Sequence, residues 1–183
     1  MSGFSKRQFA FRSSRFLLLA GILGLGTFAG SVALQGQEVV SEMGPALKGH
    51  EFTVSSADYS PDGSLVATGS FDRTVRIWKA EDTSLLRTLS GHTGQVLALD
   101  VSPDGRQLVT ASRDATVKLW DVFRPDPLAQ FTGHTEAIGA IAISSDGSWI
   151  VSGSADKAAK VWQVAATADT EAGKVLLELA GHV

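Results

Sequence analysis

Beyond residue 50 the apolar residues fall in short bursts: Val96-Leu97-Ala98-Leu99-Asp100-Val101, then Gln107-Leu108-Val109-Thr110-Ala111-Ser112, then Ala115-Thr116-Val117-Lys118-Leu119-Trp120. Bursts of roughly four to eight residues, rich in β-branched types and bounded by turn residues, predict strands and not helices. The boundaries have their own chemistry. In Ser60-Pro61-Asp62-Gly63 and Ser102-Pro103-Asp104-Gly105 proline presets φ, aspartate bonds its own backbone, and glycine accepts a positive φ. Adjacent bursts are therefore expected to pair as hairpins.

The bursts recur. Gly49-His50, Gly91-His92 and Gly133-His134 follow one another at an interval of 42 residues, and Asp72, Asp114, Asp156 and Trp78, Trp120, Trp162 keep the same register. Between one Gly-His and the next lie three clear strands and a fourth, at 85–89 or 128–131. Four antiparallel strands in a unit of this length predict a propeller blade. The expected fold is all-β: a partial β-propeller of about three four-stranded antiparallel blades at 49–90, 91–132 and 133–180, preceded by one N-terminal hydrophobic helix.

The third unit is the least regular. Ala158-Ala159 stands where the other units have Thr-Val, Ser145 replaces the turn proline, and Gly181-His182 comes 48 residues after Gly133-His134, which predicts a longer loop at 165–173. Residues 45–48 resemble an outer fourth strand standing alone before the first Gly-His, and residues 181–183 open a further unit. Because propellers close with about four to eight blades, the chain reads as a fragment of a longer one. Its end blades are expected to show bare apolar flanks, and such faces recruit other chains, so self-association is expected.

These residues resemble the WD-repeat family of β-propellers over 45–182. The carrying motifs are the third-strand endings Val75-Arg76-Ile77-Trp78-Lys79, Val117-Lys118-Leu119-Trp120-Asp121 and Lys160-Val161-Trp162-Gln163, of which only Trp120-Asp121 shows the literal Trp-Asp pair. The resemblance implies one hydrogen-bond network per blade. Its members would be His50, Asp72, Thr68 or Ser70, and Trp78; His92, Asp114, Thr110 or Ser112, and Trp120; His134, Asp156, Ser152 or Ser154, and Trp162.

Elementary chemistry agrees, since a buried indole N–H, a hydroxyl and an imidazole each need a partner and a carboxylate can anchor the set. The same residue types make up a hydrolytic triad. A reaction needs its site once, whereas this set occurs three times at one spacing, so the structural reading is preferred and no enzyme is expected. Histidines spread one per unit around a ring do not converge on a metal, and no cofactor is implied.

Residues 1–15 hold Lys6, Arg7, Arg12 and Arg15 and no acid, and residues 16–34 carry no charge. This is an export signal or a membrane anchor. Ser31-Val32-Ala33 offers the small residues of a cleavage site and favours the signal, whereas the length of the apolar run and the Gly26, Gly30 spacing favour an anchor. In either case the repeats should lie outside the cytoplasm. The four basic residues of the N-terminus leave 12 of the 16 Lys and Arg against all 19 Asp and Glu, a balance of −7, the wrong sign for nucleic acid. With no cysteine there is no disulfide framework and no thiolate metal site.

Two functions fit. One is an exported, non-catalytic interaction scaffold, binding another protein or other domains of a longer chain through loops beside the Gly-His and turn-Asp positions. Candidate contacts are Glu51, Phe52, Phe71, Thr93, Arg113, Glu136 and Lys157, led by Phe71 and Arg113 because such residue types become anchors. The other is the substrate- or partner-binding platform of a larger enzyme or sensor whose active domain is expected beyond residue 183.

Overall fold

The computed structural model describes residues 46–164 and 175–181. Its strands are β1 (Val54–Tyr59), β2 (Leu65–Ser70), β3 (Thr74–Lys79), β4 (Leu85–Ser90), β5 (Val96–Val101), β6 (Gln107–Ser112), β7 (Thr116–Asp121), β8 (Pro127–Thr132), β9 (Ile138–Ile143), β10 (Trp149–Ser154), β11 (Ala158–Gln163) and β12 (Val175–Ala180). They form three antiparallel four-stranded sheets, β1-β2-β3-β4, β5-β6-β7-β8 and β9-β10-β11-β12, in simple meander order. Each sheet is one blade.

Local chemistry sets the hairpins. Between β1 and β2 the Gly63 amide donates to the Ser60 carbonyl at 2.8 Å, the Ser60 hydroxyl donates to Asp62 Oδ1 at 2.6 Å, and Gly63 sits at φ 72°, where glycine is tolerated without penalty. In the third unit Ser145 replaces the proline, yet Gly147 N still donates to Ser144 O at 2.9 Å. Proline therefore eases this turn but is not what holds it. Pro127 is the first residue of its strand, where a missing N–H does no harm.

The blades stack through their faces. Ala67, Val75, Ile77 and Leu89 of the first pack against Val96, Leu99, Leu108 and Trp120 of the second. Val109, Ala111, Val117, Leu119 and Phe131 of the second pack against Ile138, Ile150 and Trp162 of the third. The first strands of neighbouring blades are also joined by polar contacts: Val101 N donates to Asp58 Oδ2 at 3.1 Å, and Ile143 N donates to Asp100 Oδ2 at 2.8 Å. Burial pushes the Asp100 carboxyl above its ordinary value, the Ile143 amide opposes that, and the nearby Asp58 charge adds to it.

Three expectations need comment. The outer strand expected at 45–48 does not form over Ala46, Leu47 and Lys48; a strand is held by ladder bonds to a neighbour, and β1 to β4 already complete the first sheet. The expected N-terminal helix and the long loop at 165–173 lie outside the described residues, as does His182. Among the described residues no helix is long and apolar enough to cross a membrane.

Candidate functional site

Every blade carries the same hydrogen-bonded set. In the first, His50 Nδ1 lies 2.7 Å from Asp72 Oδ2 and His50 Nε2 lies 2.8 Å from Thr68 Oγ1, while Trp78 Nε1 donates to that hydroxyl oxygen at 2.8 Å. The second repeats it with His92, Asp114, Thr110 and Trp120 at 2.8 Å throughout. The third does so with His134, Asp156, Ser152 and Trp162, at 2.7, 2.8 and 2.8 Å. One direction satisfies all groups with a neutral imidazole: indole N–H to hydroxyl oxygen, hydroxyl to Nε2, Nδ1–H to carboxylate.

The structure resolves which hydroxyl belongs to each set. Thr68, Thr110 and Ser152 join it, at the middle of β2, β6 and β10. Ser70, Ser112 and Ser154 sit two residues on, on the same face of the strand, and do something else: each accepts the amide of its turn aspartate, at 3.1, 3.1 and 3.2 Å. Ser70 and Ser154 also donate to the carbonyls of Phe52 and Glu136. They tie the turn-Asp loop to the segment that follows Gly-His.

The carboxylates are the hubs. Asp72 accepts the amides of Glu51 and Thr74, at 3.2 and 2.9 Å, and the Thr74 hydroxyl at 2.6 Å. Burial disfavours its charge, but the bonds from Thr74, His50 and Glu51 outweigh burial and hold its pKa at about 2. Asp156 is likewise held at about 2, against burial, by His134 and the amides of Thr135 and Ala158. Asp114 is also depressed, burial again being outweighed, by His92 and Thr116. Thr74 and Thr116 are members that the motif reading missed. Their signal was the Asp-x-Thr spacing, repeated 42 residues apart and broken at Ala158.

Carboxylate, imidazole and hydroxyl are ordered as in a hydrolytic triad, most literally in Asp156, His134 and Ser152. Two observations remove a nucleophile. The hydroxyl oxygen already accepts an indole N–H, and Thr68, Thr110 and Ser152 are buried, leaving no approach for a substrate.

The networks clamp loops at one end of each sheet, opposite the Ser-Pro-Asp-Gly turns. Phe71 N donates to Thr53 O, Arg113 N to Gln95 O, and Ala155 N to Ala137 O, at 2.9, 2.8 and 2.9 Å. Arg73, Ala115 and Lys157 close the turns at positive φ of 71°, 62° and 69°, a conformation unfavourable for such residues and sustained by the bonds around it. Among the candidate contacts, Glu51, Phe52, Thr93, Arg113, Glu136 and Lys157 are exposed, whereas Phe71 is half-buried. The Arg113 guanidinium reaches Gln95 Oε1 at 3.4 Å.

The family described as "WD domain, G-beta repeat" matches residues 42–79, 83–121 and 125–163, together more than half of the chain. Among known proteins, "Protein Mut11" of Chlamydomonas reinhardtii is 49% identical over 43 residues, 24% of this chain and 12% of that protein. "WD repeat-containing protein 18" of Bos taurus is 39% identical over 49 residues, 27% of this chain and 11% of its own length. "U4/U6 small nuclear ribonucleoprotein Prp4" of Mus musculus is 54% identical over 35 residues, 19% of this chain and 7% of that one. The matched stretches thus span about a tenth of these relatives.

Proposed function

The chain belongs to the WD domain, G-beta repeat family, and from that premise we propose that it is a non-catalytic protein-interaction scaffold, a partial propeller whose clamped loops present the partner-binding side chains. The observation that carries this reading is a constant frame with a variable display. The hydrogen bonds joining His, Asp, hydroxyl and Trp recur in all three blades, while the turn positions they clamp differ: Phe71, Arg113 and Ala155 occupy one equivalent place, Phe52, Gly94 and Glu136 a second, and Arg73, Ala115 and Lys157 a third. Rigid loops limit the entropy lost on binding, and exposed Phe and Arg at their tips are anchor types. The name of the mouse relative places that protein in a ribonucleoprotein assembly; for the present chain the favoured partner is protein, given its acidic balance after residue 37.

Proteins retained from a source lysate on the immobilised full chain test this reading. A Phe52→Ala, Arg113→Ala, Lys157→Ala variant should lose them, and Arg106→Ala with Glu81→Ala, at the opposite end of the sheets, should not. Equal retention by both variants contradicts the assignment of the face.

We extend the proposal to the route the chain takes: residues 16–34, uncharged and following four basic residues, direct the repeats across a membrane. In a Gram-negative host, mass spectrometry should find a new N-terminus near Leu34. An intact N-terminus held in the membrane assigns an anchor instead, and an intact cytoplasmic chain contradicts export.

A further inference from the structure

Two carboxylates meet at the junction of the first and second blades. Asp58 on β1 and Asp100 on β5 occupy equivalent places, and each accepts an amide from the first strand of the following blade, Val101 N at 3.1 Å and Ile143 N at 2.8 Å. Val101 follows Asp100 in the chain, so the first of these bonds brings the two carboxyl groups within hydrogen-bonding reach of each other. The third blade has Ala142 at this place, and among the described residues the pair therefore occurs once.

Nothing of opposite charge separates them. The salt bridges of the described residues involve neither Asp58 nor Asp100. The strands packed against β5 are β1, β2, β6 and β9; the last three carry no ionisable side chain, and β1 carries only Asp58 and the exposed Tyr59 phenol. The turns leaving β1, β5 and β9 add Asp62, Asp104 and Asp146, each held by an amide of its own turn, with Arg106 beside Asp104. Two like charges in contact at a partly buried junction are destabilising unless one of them is neutralised.

We propose that Asp58 and Asp100 hold one proton between them, and that the resulting carboxyl–carboxylate hydrogen bond is a clasp that tightens the junction of the first two blades in mild acid. The bonds around the pair place the proton. Asp58 has both oxygens occupied by amide donors, Tyr59 N on Oδ1 at 2.8 Å and Val101 N on Oδ2. Asp100 commits Oδ2 to Ile143 and receives from the Val101 amide only the least of its contacts. Asp100 is therefore the member that protonates, donating to Asp58 while it keeps Ile143. One line of bonds then runs from the first blade through the second to the third.

The sign of the pH response follows. Burial, with the Asp58 charge added, raises the Asp100 carboxyl above its ordinary value of 3.8, so its ionised form costs stability near neutrality. That cost disappears as pH falls through the raised value, and below the ordinary one the folded and unfolded chains are protonated alike. Asp72, Asp114 and Asp156 act in the opposite sense and only in stronger acid.

Asp100→Asn in the full chain, held in detergent, tests the clasp, because its amide donates to Asp58 at every pH and its carbonyl oxygen still accepts Ile143 N. The thermal midpoint of D100N should exceed that of wild type at pH 7, and the lead should shrink with falling pH and close by about pH 4. Reading the difference cancels the histidines, which both proteins share. Carbon-13 NMR of aspartate-labelled wild type, which depends on no variant, should show one carboxyl titrating above all the others, and D58N should bring it down. A D100N less stable than wild type at pH 7, a lead that does not change with pH, or no carboxyl titrating above the ordinary range would overturn the proposal. So would calcium that raises the pH 7 midpoint of wild type and not that of D100N, since a cation would then bridge the pair in place of a proton.

Discussion

The second and third blades contain the same network with nearly the same distances, yet they differ in what surrounds it. In the second, Phe131 is buried against Trp162 at 5.8 Å between ring centroids, Asp100 latches the next blade, and Thr116 donates to Asp114. In the third, Leu179 is exposed, Ala142 replaces the latch, and Ala158 replaces the threonine. The network is therefore a property of a single blade, complete within it, whereas burial is a property of a pair. Stability in such a stack has both parts, an intrinsic term for each unit and a term for each interface.

Acid should produce the largest change, because it strikes all three networks at once and so treats the two blades alike. A folded-state pKa below the ordinary value means that the carboxylate stabilises the fold above that value, and the contribution disappears as pH falls through the folded pKa. With Asp72 and Asp156 at about 2 against an ordinary 3.8, thermal midpoints should drop steadily from roughly pH 4 to roughly pH 2. A flat profile over that window would show that the carboxylates are not the hubs.

The interface term separates the blades most sharply. Phe131→Ala should cost about 3–5 kcal/mol, the range for a large buried aromatic, and the equivalent Leu179→Ala no more than about 0.5 kcal/mol in the monomer, as for a surface change. Equal costs in denaturant unfolding at low protein concentration would erase the distinction between the flanks.

Within one blade, Asp114→Ala should cost about 1–3 kcal/mol by leaving the His92 donor buried and unpaired. Arg113→Ala next to it should stay within about 0.5 kcal/mol, which separates frame from display. A smaller contrast tests the weaker third network: Thr116→Ala should lose about 1 kcal/mol, and Ala158→Thr should recover up to about the same, since its hydroxyl would meet Asp156 Oδ1 as Thr116 meets Asp114. If Ala158→Thr destabilised the chain, the equivalence of the two sites would fail.

Much of this frame was legible because the repeat aligns it. Strands and turns follow from burst length, turn residues and spacing, the members of each network follow from the resemblance to WD repeats, and a reading of one blade is checked by the next. The choice between Thr68 and Ser70 was not legible, since both lie on the same face of β2 and both need partners; only the positions of the indole and of the turn amide divide the work between them. The interblade role of Asp58 and Asp100 was equally hidden, although they too stand 42 residues apart, because a polar residue in an inner strand reads as solvent-facing until a neighbouring backbone is in place. Phe71 illustrates the converse: its turn position suggests exposure, and packing half covers it.

The four tryptophans provide the most direct test that the His, Asp, Ser/Thr and Trp sets are structural staples. Trp78, Trp120 and Trp162 donate to buried hydroxyls, while Trp149 is 38% exposed on β10. Hydrogen exchange of the indole N–H groups, followed by nitrogen-15 NMR, should show three protected signals and one that exchanges rapidly, with Asp114→Ala releasing the Trp120 signal first. Exchange of all four at similar rates would contradict the account.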